Sequence, residues 1–344
     1  MKQTLFLLFS SILFGCIAPN KTTNDELLTH QKVLIEDEYI GKPGPIIPFK
    51  DGIIGIESEK SNPPLFQLMK QNDNYKITFI GNRGQGPNDI NSAFNIQYLN
   101  TDRIGIYDLG SKAFKEINIS SIENVNTNKI INFENHYFRV IKKNHNQYIG
   151  LSDEDGLFHL LDATGNKLGV FYEYPFKDAD EQSEENAKRA WVYQGKLVTN
   201  PQKTKLVYFT STGEIIHFYN IESDQITLID KIEKEYPIYE IMTINNSSFS
   251  KLDFTQTVEG YISLSASDKY VYALFCGKKM EELREGMALV SSGTQLRVFD
   301  WNGKLVRTCQ LDVPCEQIAV TIDEKRLWAI ALTPEPTPVY FDLK

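Results

Sequence analysis

The stretch "LRVFDWNGKLVRTC", residues 296–309, reads as a strand, a tight turn and a returning strand. Apolar residues alternate with polar ones along its arms, the period-two pattern of a half-buried strand. Asn302-Gly303 supplies the left-handed backbone that a short hairpin needs. The fold depends on whether this hairpin is solitary, and it is not. A hairpin of the same shape, an apolar strand that often ends in an aromatic and an Asp or Asn, then a polar turn, then a second strand, recurs at 66–80, 104–119, 158–171 and 216–229. "PVYFDLK" at 338–344 repeats the first half of the unit without its returning strand.

Hairpins roughly 40 to 60 residues apart predict the blades of a β-propeller, small twisted sheets that bury their faces only against one another. The expected fold is all-β, a single six-bladed β-propeller over 33–344. An N-terminal strand from about 33–56 is expected to join the C-terminal blade and close the ring. The competing β-sandwich would need two or three domains to use this length, and no linker divides the chain. Helical periodicity is confined to two charged segments, 178–191 and 278–289, expected as surface excursions. The long gap between the fourth and fifth hairpins is expected to be an insertion.

Ahead of the repeat, "MKQTLFLLFSSILFGC" has one Lys, a short apolar run and then Gly15-Cys16. The run is too short to span a bilayer and fits a secretory signal over 1–15. Leu13-Phe14-Gly15-Cys16 resembles the lipobox of bacterial lipoproteins, which implies a lipid on Cys16. The polar segment 16–32 then reads as a flexible tether. The expected address is the cell envelope, at the outer membrane facing the periplasm, with the lipid as the sole membrane contact. An acidic balance, 36 Lys and Arg against 45 Asp and Glu, argues against nucleic acid as a partner. Cys309 and Cys315 are the closest cysteines of the body and form the one candidate disulfide, set against three separate buried thiols.

"GNRGQGPNDI" (81–90) could cradle a phosphate, but it lacks the Lys-Ser/Thr and the helix that a phosphate loop requires. A glycine corner with positive φ, stiffened by Pro87, is the better reading. Arg83 and Gln85 would then project from a rigid loop and are candidate partner contacts. No G-x-S-x-G or H-E-x-x-H occurs, and the five histidines are scattered. His159 and His217 read as strand residues rather than bases or ligands. "SDEDGLF" (152–158) lacks the spacing of a calcium loop and reads as a hairpin turn. No metal or cofactor is expected. Among the aromatics, Trp191, Tyr193, Trp301 and Trp328 could line a groove. Trp191 and Trp301 are retained as contact candidates, Trp301 because its turn position does not predict burial.

Several of these segments, in order, carry a family resemblance. "GNRGQGPNDI", "SDKYVYALFCGKK" (267–279), "LRVFDWNGKLVRTCQLD" (296–312) and "RLWAIAL" followed by "PVYFDL" (326–343) resemble the TolB-like six-bladed β-propeller lipoproteins. The likeness runs over about 35–344. Asp89 stands where that family's turn usually carries Glu. The resemblance implies the propeller and an envelope address, and lends no mechanism. Two function classes follow. One is a non-catalytic module that binds a protein, peptide or glycan. The other is a propeller hydrolase or lyase acting on an envelope or dietary polymer.

Overall fold

The computed structural model describes residues 26–35, 41, 43–58, 63–71, 74–86, 88–121, 124–244, 247–285 and 288–344. Cys16, the segment ahead of it and Pro87 lie outside these residues.

Six four-stranded antiparallel units follow one another along the chain, each running from the centre outward. Blade 1 comprises Pro43–Phe49, Gly52–Glu57, Leu65–Gln71 and Asn74–Ile80, and blade 2 Ala93–Asn100, Arg103–Asp108, Ala113–Ser121 and Asn124–Asn132. Blade 3 comprises Tyr137–Lys142, Gln147–Ser152, Phe158–Asp162 and Lys167–Phe171, and blade 4 Gly195–Thr199, Lys205–Thr210, Glu214–Ile221 and Ile226–Glu235. Blades 5 and 6 share one long strand, Leu305–Val320. Its first half pairs with Gly293–Asp300, beyond which lie Tyr270–Lys279 and Val258–Ala266. Its second half pairs with Arg326–Leu332, which pairs with Pro336–Asp342. The first strands of the six blades touch in cyclic order, the sixth returning to the first.

The N-terminal chain closes this ring, as the missing returning strand of 338–344 requires. Gln31–Lys32 pairs antiparallel with Pro336–Asp342, placing Gln31 opposite Tyr340 and Lys32 opposite Val339. Glu26–Leu28 adds parallel to the shared strand, with Leu28 opposite Leu311. The closing strand therefore lies earlier than 33–56, inside the segment read as tether. Residues 43–57 instead build the first two strands of blade 1. The tether reading fails over 26–32 because this polar stretch contains one buried apolar anchor and runs into another: Leu28 is buried between blades 5 and 6, and Val33, the residue just beyond the stretch, between blades 6 and 1.

Among the described residues, each of six apolar clusters sits at one blade-to-blade interface. The aromatic content of the repeat is spent there. Trp328 of blade 6, for example, meets Tyr75 of blade 1 edge-on at 5.4 Å. Such pairs add to the burial of large apolar side chains.

The first charged segment forms two short helices, α1 (Ala179–Gln182) and α2 (Asn186–Val192). Asp178 caps α1 by accepting from the Glu181 amide at 3.0 Å. The second charged segment yields a single 3₁₀ turn, Met280–Leu283. The insertion after blade 4 is a hairpin, Tyr239–Ile244 with Ser247–Leu252, which packs against α2. Among the described residues no helix is long and apolar enough to cross a membrane.

Candidate functional site

The first strand of each blade has one edge without a strand neighbour, facing the ring's axis. Backbone groups there need other partners. Among the described residues, polar side chains of one inner strand supply them to the next at three joints. Asn95 donates to the Val140 carbonyl at 3.0 Å, and Gln97 both donates to the Lys142 carbonyl at 3.0 Å and accepts its amide at 2.7 Å. Lys196 Nζ donates to the Ile262 carbonyl at 2.7 Å. Ser263 and Ser265 accept the Ile318 and Val320 amides at 3.1 and 2.9 Å.

Inside these latches lies a central cavity of about 130 Å³ bounded by residues of all six inner strands. Its walls are mostly apolar, with Phe94, Ile141, Leu197 and Leu264 among them. Its ionisable groups are Arg139 from blade 3, Lys196 from blade 4 and the Tyr98 phenol. Burial pulls the Lys196 ammonium down to about 8, and the Arg139 charge adds to that pull. Burial likewise lowers Arg139, to about 10.

A second concavity, about 1050 Å³, lies on the outside between α2 and the Tyr239–Leu252 hairpin. Trp191 stands in it with 61% of its surface exposed, beside the exposed Ile238 and Phe249. Its rim carries both signs of charge, Lys188, Lys251 and Arg284 against Glu185 and Glu240. Trp191 is held edge-on against Phe138 at 5.5 Å, and Ser250 Oγ donates to the Lys188 carbonyl at 3.0 Å, tying the hairpin to the helix.

The other candidates fall elsewhere. Gln85 is exposed. Arg83 turns into its own corner, where its guanidinium donates to the Glu57 carbonyl at 3.1 Å and the Asn91 carbonyl at 3.4 Å. The glycine corner does cradle an anion, but that anion is its own Asp89, whose carboxylate accepts the Gly86 amide at 3.0 Å. Gly81 has φ +84°, the positive value the corner requires. Trp301 is 4% exposed, against expectation. Its ring fills the interface of blades 4 and 5, and Nε1 donates to the Ser267 carbonyl at 3.2 Å. Tyr193 and Trp328 are buried as well. No disulfide joins Cys309 to Cys315. Both occupy the single strand Leu305–Val320. Cys309 stands opposite Leu296 and Cys315 opposite Gly293, three residues of extended strand or roughly 10 Å apart, which is beyond the reach of a disulfide.

At the turn of blade 3, ligand atoms of Glu154, Asp155 and His159 lie within 4.8 Å of one another. His159 is already engaged at both nitrogens, Nε2 with Asp155 at 2.8 Å and Nδ1 with the Tyr137 hydroxyl at 3.1 Å. A cation there would have to break one of those bonds.

Of the aromatic candidates, Trp191 is the one that stands exposed in a concavity, and no candidate residue pointed to the central cavity. The available signal was Arg139 inside "YFRVI", a charge in the middle of an apolar strand.

No curated protein matches the chain in sequence. A Bacteroides fragilis structure titled "Putative exported protein" superposes with a TM-score of 0.55 at 10% identity, over 94% of this chain and 98% of the other. The β-propeller domain of Myceliophteria thermophila Cps50 gives a TM-score of 0.46 at 11% identity, over 89% of this chain and 98% of that domain. The family model described as "TolB-like 6-blade propeller-like" matches residues 23–325, so the chain belongs to the TolB-like six-bladed propeller family.

Proposed function

We propose that this propeller is a non-catalytic binding module of the cell envelope, and that it holds a protein partner by an extended peptide segment in the groove between α2 and the Tyr239–Leu252 hairpin. The observation that carries this reading is the exposed Trp191, set with Ile238 and Phe249 in a rigidly tied concavity. Contiguous exposed apolar surface with a charged rim is the anatomy of a contact site, and Trp and Arg are the residues that most often dominate binding energy there. The rim's mixed charge would set register more than affinity. The groove is too broad and open to enclose a small molecule. The hydrolase or lyase alternative would have to use Lys196 as its base or nucleophile, since Arg139 and Tyr98 are the other ionisable groups of the central cavity.

The envelope address rests on family membership, on the likeness to a protein titled as exported, and on the apolar N-terminus ending in Cys16. In this reading a lipid on Cys16 anchors the chain to the outer membrane facing the periplasm.

The test is a peptide-display selection on the propeller domain, followed by titration of enriched peptides against Trp191→Ala and Phe249→Ala. The expected result is a weakening of about tenfold or more, the cost of truncating a binding hot spot. Enriched peptides that bind both variants as they bind the parent would overturn the groove assignment, as would a selection that enriches nothing.

A further inference from the structure

We propose that the central cavity is a binding site for a small organic carboxylate, its head group held between Arg139 and Lys196 and its body against the apolar wall. This site is separate from the outer groove and does not rest on its assignment.

The argument begins with charge. Arg139 and Lys196 reach one cavity from adjacent blades. Among the described residues no carboxylate lies within ion-pair distance of either. Arg139 Nη1 donates to the Phe138 carbonyl at 2.7 Å, and its guanidinium lies 4.6 Å from the centre of the Phe94 ring. Lys196 gives one of its three protons to Ile262. The nearest acid to act on Lys196 is Glu259, which burial pushes toward its neutral form and which bonds Ser291 Oγ at 2.9 Å. Two cations therefore share one partly buried cavity with no ion-paired carboxylate among the described residues, an arrangement that an entering anion would relieve.

Size and lining narrow the anion. A cavity of about 150 Å³ holds benzene, so one near 130 Å³ suits a body of similar size rather than a nucleotide or a sugar chain. Phe94, Ile141, Leu197 and Leu264 offer such a body an apolar wall. The guanidinium fork matches two coplanar oxygens, which a carboxylate presents. Asn95 Oδ1 is buried at the wall without a hydrogen-bond partner, so a hydroxyl or amide donor on the ligand would be accommodated. Phe94, at the start of its inner strand, and Ile322, just past the end of its own, are exposed wall residues at opposite ends of the parallel inner strands, so the cavity reaches solvent along the axis.

The probes are benzoate, butanoate, the neutral isostere benzamide, and inorganic phosphate, titrated at millimolar concentration and neutral pH into the wild-type domain. Calorimetry and melting temperature provide the readouts. The expected result is a saturable shift with the two carboxylates, none with benzamide, and a weaker one or none with phosphate. Arg139→Gln and Lys196→Met, with folding verified by far-UV circular dichroism, should each weaken benzoate by about tenfold or more. If Arg139→Gln does not fold, Arg139→Lys keeps the charge and loses the fork, and several-fold weakening is expected of it. No saturable response to either carboxylate, an equal response to benzamide, a larger one to phosphate, or variants that bind as the wild type would each overturn the proposal. Trp191→Ala should leave these titrations unchanged, so the outer groove and the cavity stand or fall separately.

Discussion

Leu27 and Leu28 are neighbours in a segment whose composition reads as a tether, yet the structure gives them opposite fates. Leu28 is 5% exposed in the cluster joining blades 5 and 6, and Leu27 is 64% exposed. Replacing Leu28 by Ala removes three buried carbons and leaves a partial cavity. Full core sites lose about 3 to 5 kcal/mol from such a change, and an edge site that can collapse falls at the low end, about 2 to 3 kcal/mol. A unit of about 300 residues gains roughly 0.6 kcal/mol per kelvin of entropy on melting, so the midpoint should drop by about 3 to 5 °C. The same change at Leu27 should stay within about 0.5 kcal/mol, under 1 °C. Differential scanning calorimetry on a domain that begins ahead of residue 26 reads both. Equal effects at the two positions would refute the claim that the N-terminal chain closes the ring.

Trp301→Ala should cost about 3 to 5 kcal/mol in a denaturant titration, because it empties an interface and strips the Ser267 carbonyl of its donor. A loss below about 0.5 kcal/mol would return Trp301 to the surface. Glu233 should shape the acid limb of stability. Burial alone would raise its pKa, but hydrogen bonds from His217 at 2.8 Å and Lys231 at 2.7 Å outweigh it and hold the carboxyl at about 2. The folded value lies below the ordinary 4.5, so the unfolded chain takes the proton first. The contribution is therefore complete above the unfolded pKa and is lost as pH falls from there toward 2. Glu233→Gln should flatten this limb by about 2 to 3 kcal/mol, and parallel limbs for parent and variant would contradict the assignment.

The blades were legible because each hairpin announces itself locally, by alternation and by the chemistry of its turn. Asp162 and Asp300 show why an Asp recurs at the strand end: each carboxylate accepts the turn amides two and four residues on, at 2.8 to 3.0 Å. The hairpin at 104–119 carries the same letters one strand early in its blade. There Asp108 does a different job, receiving the Asn91 and Ser92 amides and the Lys115 ammonium within the core. What was not legible depends on contacts far apart in sequence. Gln31–Lys32 is two polar residues whose partner strand lies some three hundred positions away, and nothing local marks it. Trp301 sits in a turn by its neighbours and in an interface by the position of Ser267. Lys196 looks like an ordinary strand residue, and Arg139, though an odd charge in an apolar strand, has no visible counterpart until the ring brings their blades together.

The inner edges link the fold to the cavity. A propeller that left its axial backbone groups to water would need a wet channel throughout. Here Asn95, Gln97, Ser263 and Ser265 take the place of strand neighbours and draw consecutive inner strands together. Lys196 belongs to the same set, because its bond to the Ile262 carbonyl joins blades 4 and 5. That bond fixes the ammonium before any ligand arrives, and the Phe138 carbonyl and the Phe94 ring do the same for Arg139. A cation already held in place loses little side-chain freedom when an anion binds, so more of the charge interaction appears as affinity. The residues that tighten the ring are thus partly the residues that keep its centre positive, and a substitution at Lys196 should alter the joint and the charge together, while one at Arg139 should alter mainly the charge.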